Sequence, residues 1–510
     1  MKARTFILPA TIIASGFITD AVAAKKIEKH PNVIVILADD LGYGDLSCYN
    51  SHSKINTPNI DRLALQGVMF NDAHSSSALS TPSRYSVMTG RYPWRTVSKQ
   101  AVLDGFGEPL IPAERPTLAT LFSEVGYHTA CIGKWHLGWD WTRLPGAKRR
   151  NEVDYMAPLK NGPTERGFDY FFGLAASLDM SPFVFVENDK VVTLPNRILP
   201  KDTGLRLMHG GPAGEGFEPE ECLQTLFQKS FDYISDRSCA DEPFFLYLPI
   251  TAPHTPVLPS KEYRGSTSIG DYGDFVVMID GLIGQMLDIL ENKGVLDDTI
   301  IVFASDNGCA PYVDTKSLET KGHYPSGPYR GYKSDIYEGG HRIPLIVSWS
   351  RIPKPSVSSS MVCLTDLFAT FADLLDYKYS DNVAEDSYSF LPDVMNLGKT
   401  RRKDIIHQSG KGYLAFRRGD YKLIYHPGSG GWGFPSSDAQ MKGLPEMQLF
   451  NMENDNAEKE NMINDRRYAR LVSRMTRFMK DDIISGRSTP GVLVGNDTEN
   501  DWQQIKAILQ

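Results

Sequence analysis

The sequence predicts an α/β protein in which a mostly parallel sheet is sandwiched by helices and followed by a smaller C-terminal antiparallel sheet with a packed helix. Three features carry that prediction: short apolar runs that stop abruptly at polar residues, helical periodicity between them, and a change of pattern after about residue 400. Continuous apolar runs mark strands buried on both faces, as in a parallel sheet covered by helices. With 510 residues and 41% hydrophobic content, the chain can bury a large core, either one large α/β domain with an appendage or several smaller units. No low-complexity tract or internal repeat dominates, which excludes disordered, fibrous and solenoid classes.

The N-terminus places Lys2 and Arg4 before an apolar stretch over residues 6–18 and small residues over 21–24. This is the pattern of a secretory signal over residues 1–24, cleaved near Ala23 or Ala24. The stretch is too short, and too interrupted by Pro9 and Gly16, to span a bilayer. The first buried strand, residues 33–37, runs into Asp39 and Asp40. A helix over 117–125 precedes a strand over 127–132 that runs into Gly133, Lys134, Trp135 and His136. Residues 244–248 lead to Thr251 and His254. A helix over 274–292 then precedes the run 300–303, which ends at Ser305, Asp306 and Asn307. Right-handed crossovers bring the C-terminal ends of such strands to one edge, and ligands bind beyond that edge. Asp39, Asp40, Lys134, His136, His254, Asp306 and Asn307 are therefore expected to converge, although loops after any single strand are polar for ordinary reasons.

A polar, linker-like stretch at 356–360 and a helix around 364–375 lead out of this first unit, residues 25–400. The second unit, residues 401–510, carries a hairpin of strands 413–416 and 421–425 and a helix over 468–479. A glycine-rich loop, 428–433, is expected to close over the substrate.

The net charge of −8 argues against nucleic acid or an anionic membrane as the main partner. No stretch after the signal is long and apolar enough to span a membrane. Six cysteines lack any C-x-x-C pair or zinc-like spacing. An oxidising compartment permits disulfides among them, but their pairing is not readable from sequence.

Ser80-Thr81-Pro82-Ser83-Arg84, followed by Thr89-Gly90, reads as a short helix with Ser80 at its mouth: Pro82 suits the first turn and Gly90 the end. Free N–H groups and the positive end of the macrodipole favour an anion there. Arg84, one turn on, can steady a neighbouring negative group. A capping role would explain Ser80 by itself. The whole segment, however, closely resembles the activation signature of type I sulfatases in its serine variant. The resemblance continues through Ala38-Asp39-Asp40-Leu41-Gly42, Gly133-Lys134-Trp135-His136-Leu137-Gly138 and the run 167–173 that leads to Ser177 and Asp179. It extends to Lys333, five residues ahead of Glu338-Gly339-Gly340, and to the stretches around Asn451 and Asn461.

This resemblance implies an alkaline-phosphatase-like fold, mixed but mostly parallel. It implies that Ser80 is oxidised to formylglycine by a separate serine-oxidising enzyme, and that the hydrated aldehyde attacks sulfur with one oxygen and expels sulfate with the other. It places a calcium ion, with magnesium as second choice, on Asp39, Asp40, Ser80, Asp306 and Asn307. These are hard oxygen donors without thiolates, a set suited to calcium and ill suited to zinc. It gives Lys134 and Lys333 to the sulfate oxygens and Arg84 to the diol. His136 takes the diol proton and His254 protonates the leaving alkoxide, jobs that histidine performs near neutral pH.

Residues 177–189 resemble the carbohydrate-sulfatase branch, with Ser177 bonding sulfate and Asp179 accepting a sugar hydroxyl, although loop capping explains these two equally well. The stretch 331–342 points toward 6-O-sulfated galactose or N-acetylgalactosamine in sulfated glycans such as glycosaminoglycans or mucin. Long loops at 144–162, 196–217 and 309–329 are expected to set specificity. Export and resemblance together imply a periplasmic enzyme. Two other readings compete: a phosphoester hydrolase of the alkaline-phosphatase superfamily using Ser80 directly, and a catalytically dead glycan-binding protein.

Overall fold

In a computed structural model the described residues are 30–510, so the signal expected over residues 1–24 lies outside them. Ten strands form the main sheet: β1 (Asn32–Asp39), β2 (Gly67–Phe70), β3 (His128–Lys134), β4 (Tyr170–Leu174), β5 (Val186–Glu187), β6 (Lys190–Val191), β7 (Phe244–Pro253), β8 (Thr299–Ser305), β9 (Leu345–Ser348) and β10 (Ser356–Ser358). Their order is β10-β2-β9-β8-β1-β7-β3-β4-β5-β6. The central run from β8 through β1, β7 and β3 to β4 is entirely parallel. Antiparallel pairings join β9 to β8 and to β2, and complete the β4-β5-β6 edge. The sheet is thus mixed and mostly parallel, as expected.

Every residue of β7 and β8, and all but the first of β1, is buried, which is why these segments read as unbroken apolar runs rather than alternating ones. Helices α1 (Pro58–Gln66), α4 (Cys222–Arg237) and α5 (Asp271–Asn292) share one core with Ile34, Ile36, Leu246 and Leu248. The intervening strand residues point to the opposite face. There Phe245 stacks on Phe122 of α3 (Leu118–Glu124) at 4.1 Å, and Phe122 meets Phe371 of α6 (Asp366–Leu374) at 5.1 Å. Helix α2 (Ser80–Thr89) contacts α3 and α6.

Several boundaries differ from the sequence reading: the strand expected over 244–248 runs on to Pro253, and the C-terminal helix expected over 468–479 runs on to Ser485. Helix α5 begins at Asp271 rather than 274, because Gly270, with φ of 97°, turns the chain immediately before it. The stretch expected as a linker at 356–360 carries β10, which pairs with β2 at the sheet's edge. Its polar composition reflects that edge position, where Val357 is 59% exposed.

The C-terminal part contains an antiparallel four-stranded sheet: β11 (Asp404–Gln408), β12 (Leu414–Arg418), β13 (Tyr421–Ile424) and β14 (Gln448–Asn451), in that order. Helix α7 (Ala469–Ser485) buries Met475, Met479 and Ile483 with Leu414, Phe416 and Leu423, and Tyr92 and Trp94 join the same cluster. Residues of the opposite parity, Ala415 and Ile424, pack with Ile336 and Tyr337, close in sequence to Lys333. Buried Lys422 on β13 bridges Glu338 at 3.1 Å and Glu458 at 2.8 Å. All six cysteines are free. No helix among the described residues is long and apolar enough to cross a membrane.

Candidate active site

The parallel strands deliver their terminal residues to one place. Asp40, just past β1, has φ of 65°, and His136, just past β3, has φ of 56°. Both side chains thereby leave the strand direction through a left-handed step that is unfavourable for most residues and tolerated best by Asn, Asp and His. The β1 and β8 ends are tied together: Asp306 N–H donates to the Ala38 carbonyl at 3.0 Å, and Leu41 N–H to Ser305 Oγ at 2.9 Å. Asp40 N–H donates to Asp306 Oδ1 at 3.1 Å.

Ser80 is the first residue of α2 and is 1% exposed. Leu79 at the N-cap supplies no side-chain acceptor, so the first N–H groups of α2 keep their positive potential beside Ser80. At the other end Gly90 adopts φ of 63° and its N–H caps the Ser86 carbonyl at 2.9 Å, as expected from the sequence. Ser80 Oγ makes long contacts to two oxygens, Asp39 Oδ1 at 3.3 Å and Asn307 Oδ1 at 3.4 Å. The Asn307 amide spans the gap, its Nδ2 donating to Asp40 Oδ1 at 2.7 Å.

Three carboxylates and three cations alternate around this serine. Lys134 Nζ bonds both oxygens of Asp39 at 2.8 Å, and Lys333 Nζ bonds Asp40 Oδ2 at 2.7 Å. The Arg84 guanidinium grips Asp306 Oδ2 at 2.7 and 3.1 Å, approaches Asp39 at 3.4 Å and donates to the Lys134 carbonyl at 3.2 Å. Arg84 is therefore anchored on the carboxylates rather than directly on Ser80. Burial pushes the Asp39 carboxyl up, but Lys134, His254 and Arg84 outweigh it and hold it below its ordinary range. Burial likewise pulls Lys333 down, and Asp40 with Asp39 more than restores it.

The two histidines have different partners. His136 Nε2 lies 2.7 Å from the Leu103 carbonyl, which can only accept, so that nitrogen carries the proton. Its Nδ1 is buried without a partner. Burial, reinforced by Lys134 and Arg84, keeps this ring neutral, with its pKa well below the usual value. His254 Nδ1 donates to the Thr255 carbonyl at 2.6 Å, while Nε2 lies 3.1 Å from the Tyr312 hydroxyl and 3.6 Å from Asp40 Oδ2. Tyr312 gives its proton to Asp40 at 3.1 Å and accepts from Lys333 at 2.9 Å.

Asp179 is 3% exposed. Its Oδ1 has no partner, and its Oδ2 faces His209 Nε2 at 3.4 Å. Burial raises the Asp179 carboxyl, but His254, His209 and Lys333 reverse that and keep it ionised. Ser177 is buried two residues before it, in a turn closed by its carbonyl and the Met180 N–H at 2.9 Å. Sequence reasoning missed Tyr312 and His209. His209 sits in an irregular loop and Tyr312 in a single 3-10 turn, Pro311–Val313, too short to show periodicity; only Tyr312 carried a hint, lying shortly after the Asp306-Asn307 pair.

The donor set suits an oxygen-seeking dication. Asp39, Asp40, Asp306 and Asn307 are each at most 1% exposed and offer only carboxylate and amide oxygens. Among the described residues, Asp39, Asp40 and His254 also place ligand atoms within 4.8 Å of one another. The carboxylates are already neutralised by Arg84, Lys134 and Lys333. An added dication would leave the site positive, which favours an anionic ester. At 4 Å and a surface-like dielectric, each opposite charge contributes about 4 kcal/mol of attraction.

A buried serine at a helix mouth, backed by a carboxylate cage and flanked by lysines, suits a hydrolase of anionic esters. The comparisons make the class specific: the family described as Sulfatase matches residues 31–377, and the chain belongs to it, a sulfuric ester hydrolase. It is 34% identical over 432 residues to the N-acetylgalactosamine-6-O-sulfatase of Bacteroides thetaiotaomicron, covering 77% of this chain and 82% of that one. Human N-acetylgalactosamine-6-sulfatase is 30% identical over 417 residues, covering 79% and 73%. A solved structure from work on the metabolism of multiple glycosaminoglycans by Bacteroides thetaiotaomicron superposes with a TM-score of 0.78 at 32% identity, covering 89% of this chain and 99% of that chain.

Proposed function

We propose that this enzyme removes 6-O-sulfate from galactose or N-acetylgalactosamine residues of sulfated glycans, using formylglycine made from Ser80 by a separate serine-oxidising enzyme, together with a calcium ion. The observation that carries the reading is Ser80 at the mouth of α2, within 3.4 Å of Asp39 and Asn307, with Lys134 and Lys333 on the adjoining carboxylates. The sugar assignment is supported by the relatives above, whose names specify 6-sulfated N-acetylgalactosamine. The export pattern in residues 1–24 supports a periplasmic location.

When present, the modified side chain supplies an oxygen nucleophile that can later expel sulfate, and calcium supplies positive charge beside the ester. Asp39, Asp40, Asp306 and Asn307 would hold that cation. Lys134 and Lys333 sit where ester oxygens must come to lie and share their ammonium protons with them. His254, whose Nε2 lies 3.1 Å from the Tyr312 hydroxyl that also bonds Lys333, is the group placed to protonate the departing sugar oxygen. His136, neutral and bare at Nδ1, receives a proton from the nucleophile side. Asp179 offers its unpartnered Oδ1 to a sugar hydroxyl, and His209 stands on the solvent side of it, 59% exposed at its side chain.

Two measurements test this. Intact-mass analysis of protein from its native host should show residue 80 lighter by two hydrogens, and Ser80→Ala should abolish turnover while leaving the fold intact. Matured enzyme assayed on a panel of sulfated mono- and disaccharides should prefer 6-sulfated galactose or N-acetylgalactosamine. An unmodified Ser80 in fully active protein would overturn the nucleophile, and a preference for 4-sulfated sugars would overturn the substrate.

A further inference from the structure

The glycine-rich loop 428–433 is built as a fixed wall. Ser429 accepts the Ile336 N–H on its carbonyl at 2.7 Å, its Oγ donates to the Gly433 carbonyl at 2.7 Å, and the Gly433 N–H donates to Asp335 Oδ1 at 2.7 Å. Gly431 and Gly433 are glycines because the loop lies flat on the segment that carries Lys333. A β-carbon on Gly431 would meet the Ser334 carbonyl at 2.3 Å, and one on Gly433 would meet Asp335 Oδ2 at 2.3 Å. The residue between these two anchors is Trp432.

Trp432 leaves half of its surface, 50%, open to solvent. Its ring centroid lies 6.1 Å from that of Tyr312, the residue whose hydroxyl joins Lys333, Asp40 and His254. The indole therefore stands one ring-width outside the charged cradle, on the same side as the proton donor to the leaving oxygen. An indole held by backbone anchors on both sides offers a flat apolar face whose orientation is settled before a ligand arrives, so little ordering entropy is lost on binding. A pyranose ring has such an apolar face of C–H groups, whereas inorganic sulfate has none.

We propose that Trp432 is a substrate-contacting residue on which the leaving sugar stacks while its sulfate sits between Lys134 and Lys333, with Asp179 and His209 reading its hydroxyls. The proposal rests on the sugar-sulfatase reading above and adds to it a specificity determinant that acts on the sugar and not on the sulfate.

The test uses matured full-length enzyme, with Trp432→Ala and Trp432→Phe, assayed on N-acetylgalactosamine 6-sulfate and inhibited with inorganic sulfate. Trp432→Ala should raise KM for the sugar about tenfold, equivalent to roughly 1.4 kcal/mol, with kcat changed less than about threefold and the inhibition constant of inorganic sulfate unchanged. Trp432→Phe should keep KM within about threefold of the parent, because a flat ring remains. An unchanged KM in Trp432→Ala, with the parent active on the sugar, overturns this proposal alone. Equal weakening of sugar and inorganic sulfate also overturns it, because the residue would then be supporting the cradle. A parent that hydrolyses aryl sulfates but no sulfated sugar overturns both this proposal and the reading beneath it.

Discussion

Tyr312→Phe is the most discriminating substitution at this site, because it deletes one oxygen and keeps the ring. That oxygen contacts Lys333 Nζ at 2.9 Å, Asp40 Oδ2 at 3.1 Å and His254 Nε2 at 3.1 Å. It is therefore the only atom among the described residues shown bonding a carboxylate of the cage, a lysine of the cradle and His254 together. A hydrogen bond to a charged group contributes about 1.5–3 kcal/mol, and the deleted oxygen serves two such partners, Lys333 and Asp40, besides His254. The direct Lys333–Asp40 pair at 2.7 Å survives the change, so the fold should lose little. If one such bond is lost specifically from the transition state, kcat/KM falls by roughly 10- to 150-fold. The fall should lie mainly in kcat, because the lost contact orients the donor to the leaving group. Steady-state kinetics of matured parent and variant, with a thermal melt of each, measure both quantities. Activity within twofold of the parent, or a loss no larger than the fall in folded fraction, would refute the role assigned to the hydroxyl.

Other expectations follow from the same geometry. Exhaustive chelation should remove activity, and added calcium should restore it, with the protein remaining folded because the three carboxylates keep Arg84, Lys134 and Lys333 as partners; full activity in metal-free protein would contradict this. Gly308→Ala should destabilise by about 3 kcal/mol or more, since its β-carbon would lie 1.8 Å from the Gly339 carbonyl; a melt and an assay should both register it, as neighbouring Asn307 must shift from Ser80. Burial, opposed by Lys422 and reinforced by Glu338, raises the Glu458 carboxyl from 4.5 to about 7. The folded state then binds the proton more tightly than the unfolded chain, so stability declines as pH rises from about 4.5 to 7. Glu458→Gln should flatten that decline in denaturant titrations run across the window, and an unaltered slope would count against it.

Much of this site was legible because its residues follow directly from buried strands. Asp39 and Asp40, Lys134 and His136, His254, and Asp306 and Asn307 each close an apolar run, and parallel pairing forces those ends to one edge whatever the length of chain between them. The serine helix was equally legible, since Pro82 and Gly90 announce its start and stop. Local patterning thus determined the fold class and placed Ser80 at the mouth of its helix, and the resemblance of the motifs around it indicated the family. Only the tertiary structure decided how the charges pair: that Arg84 serves Asp306 and Asp39, that Tyr312 joins three members of the site, and that His209 stands beside Asp179. It also showed the loop around Trp432 bonded to the Lys333 segment. Such pairings depend on side-chain placement in irregular loops, where no backbone period links sequence position to direction in space. A strand or helix carries that link in its hydrogen-bond geometry, and a loop acquires it only from the contacts that the rest of the chain provides.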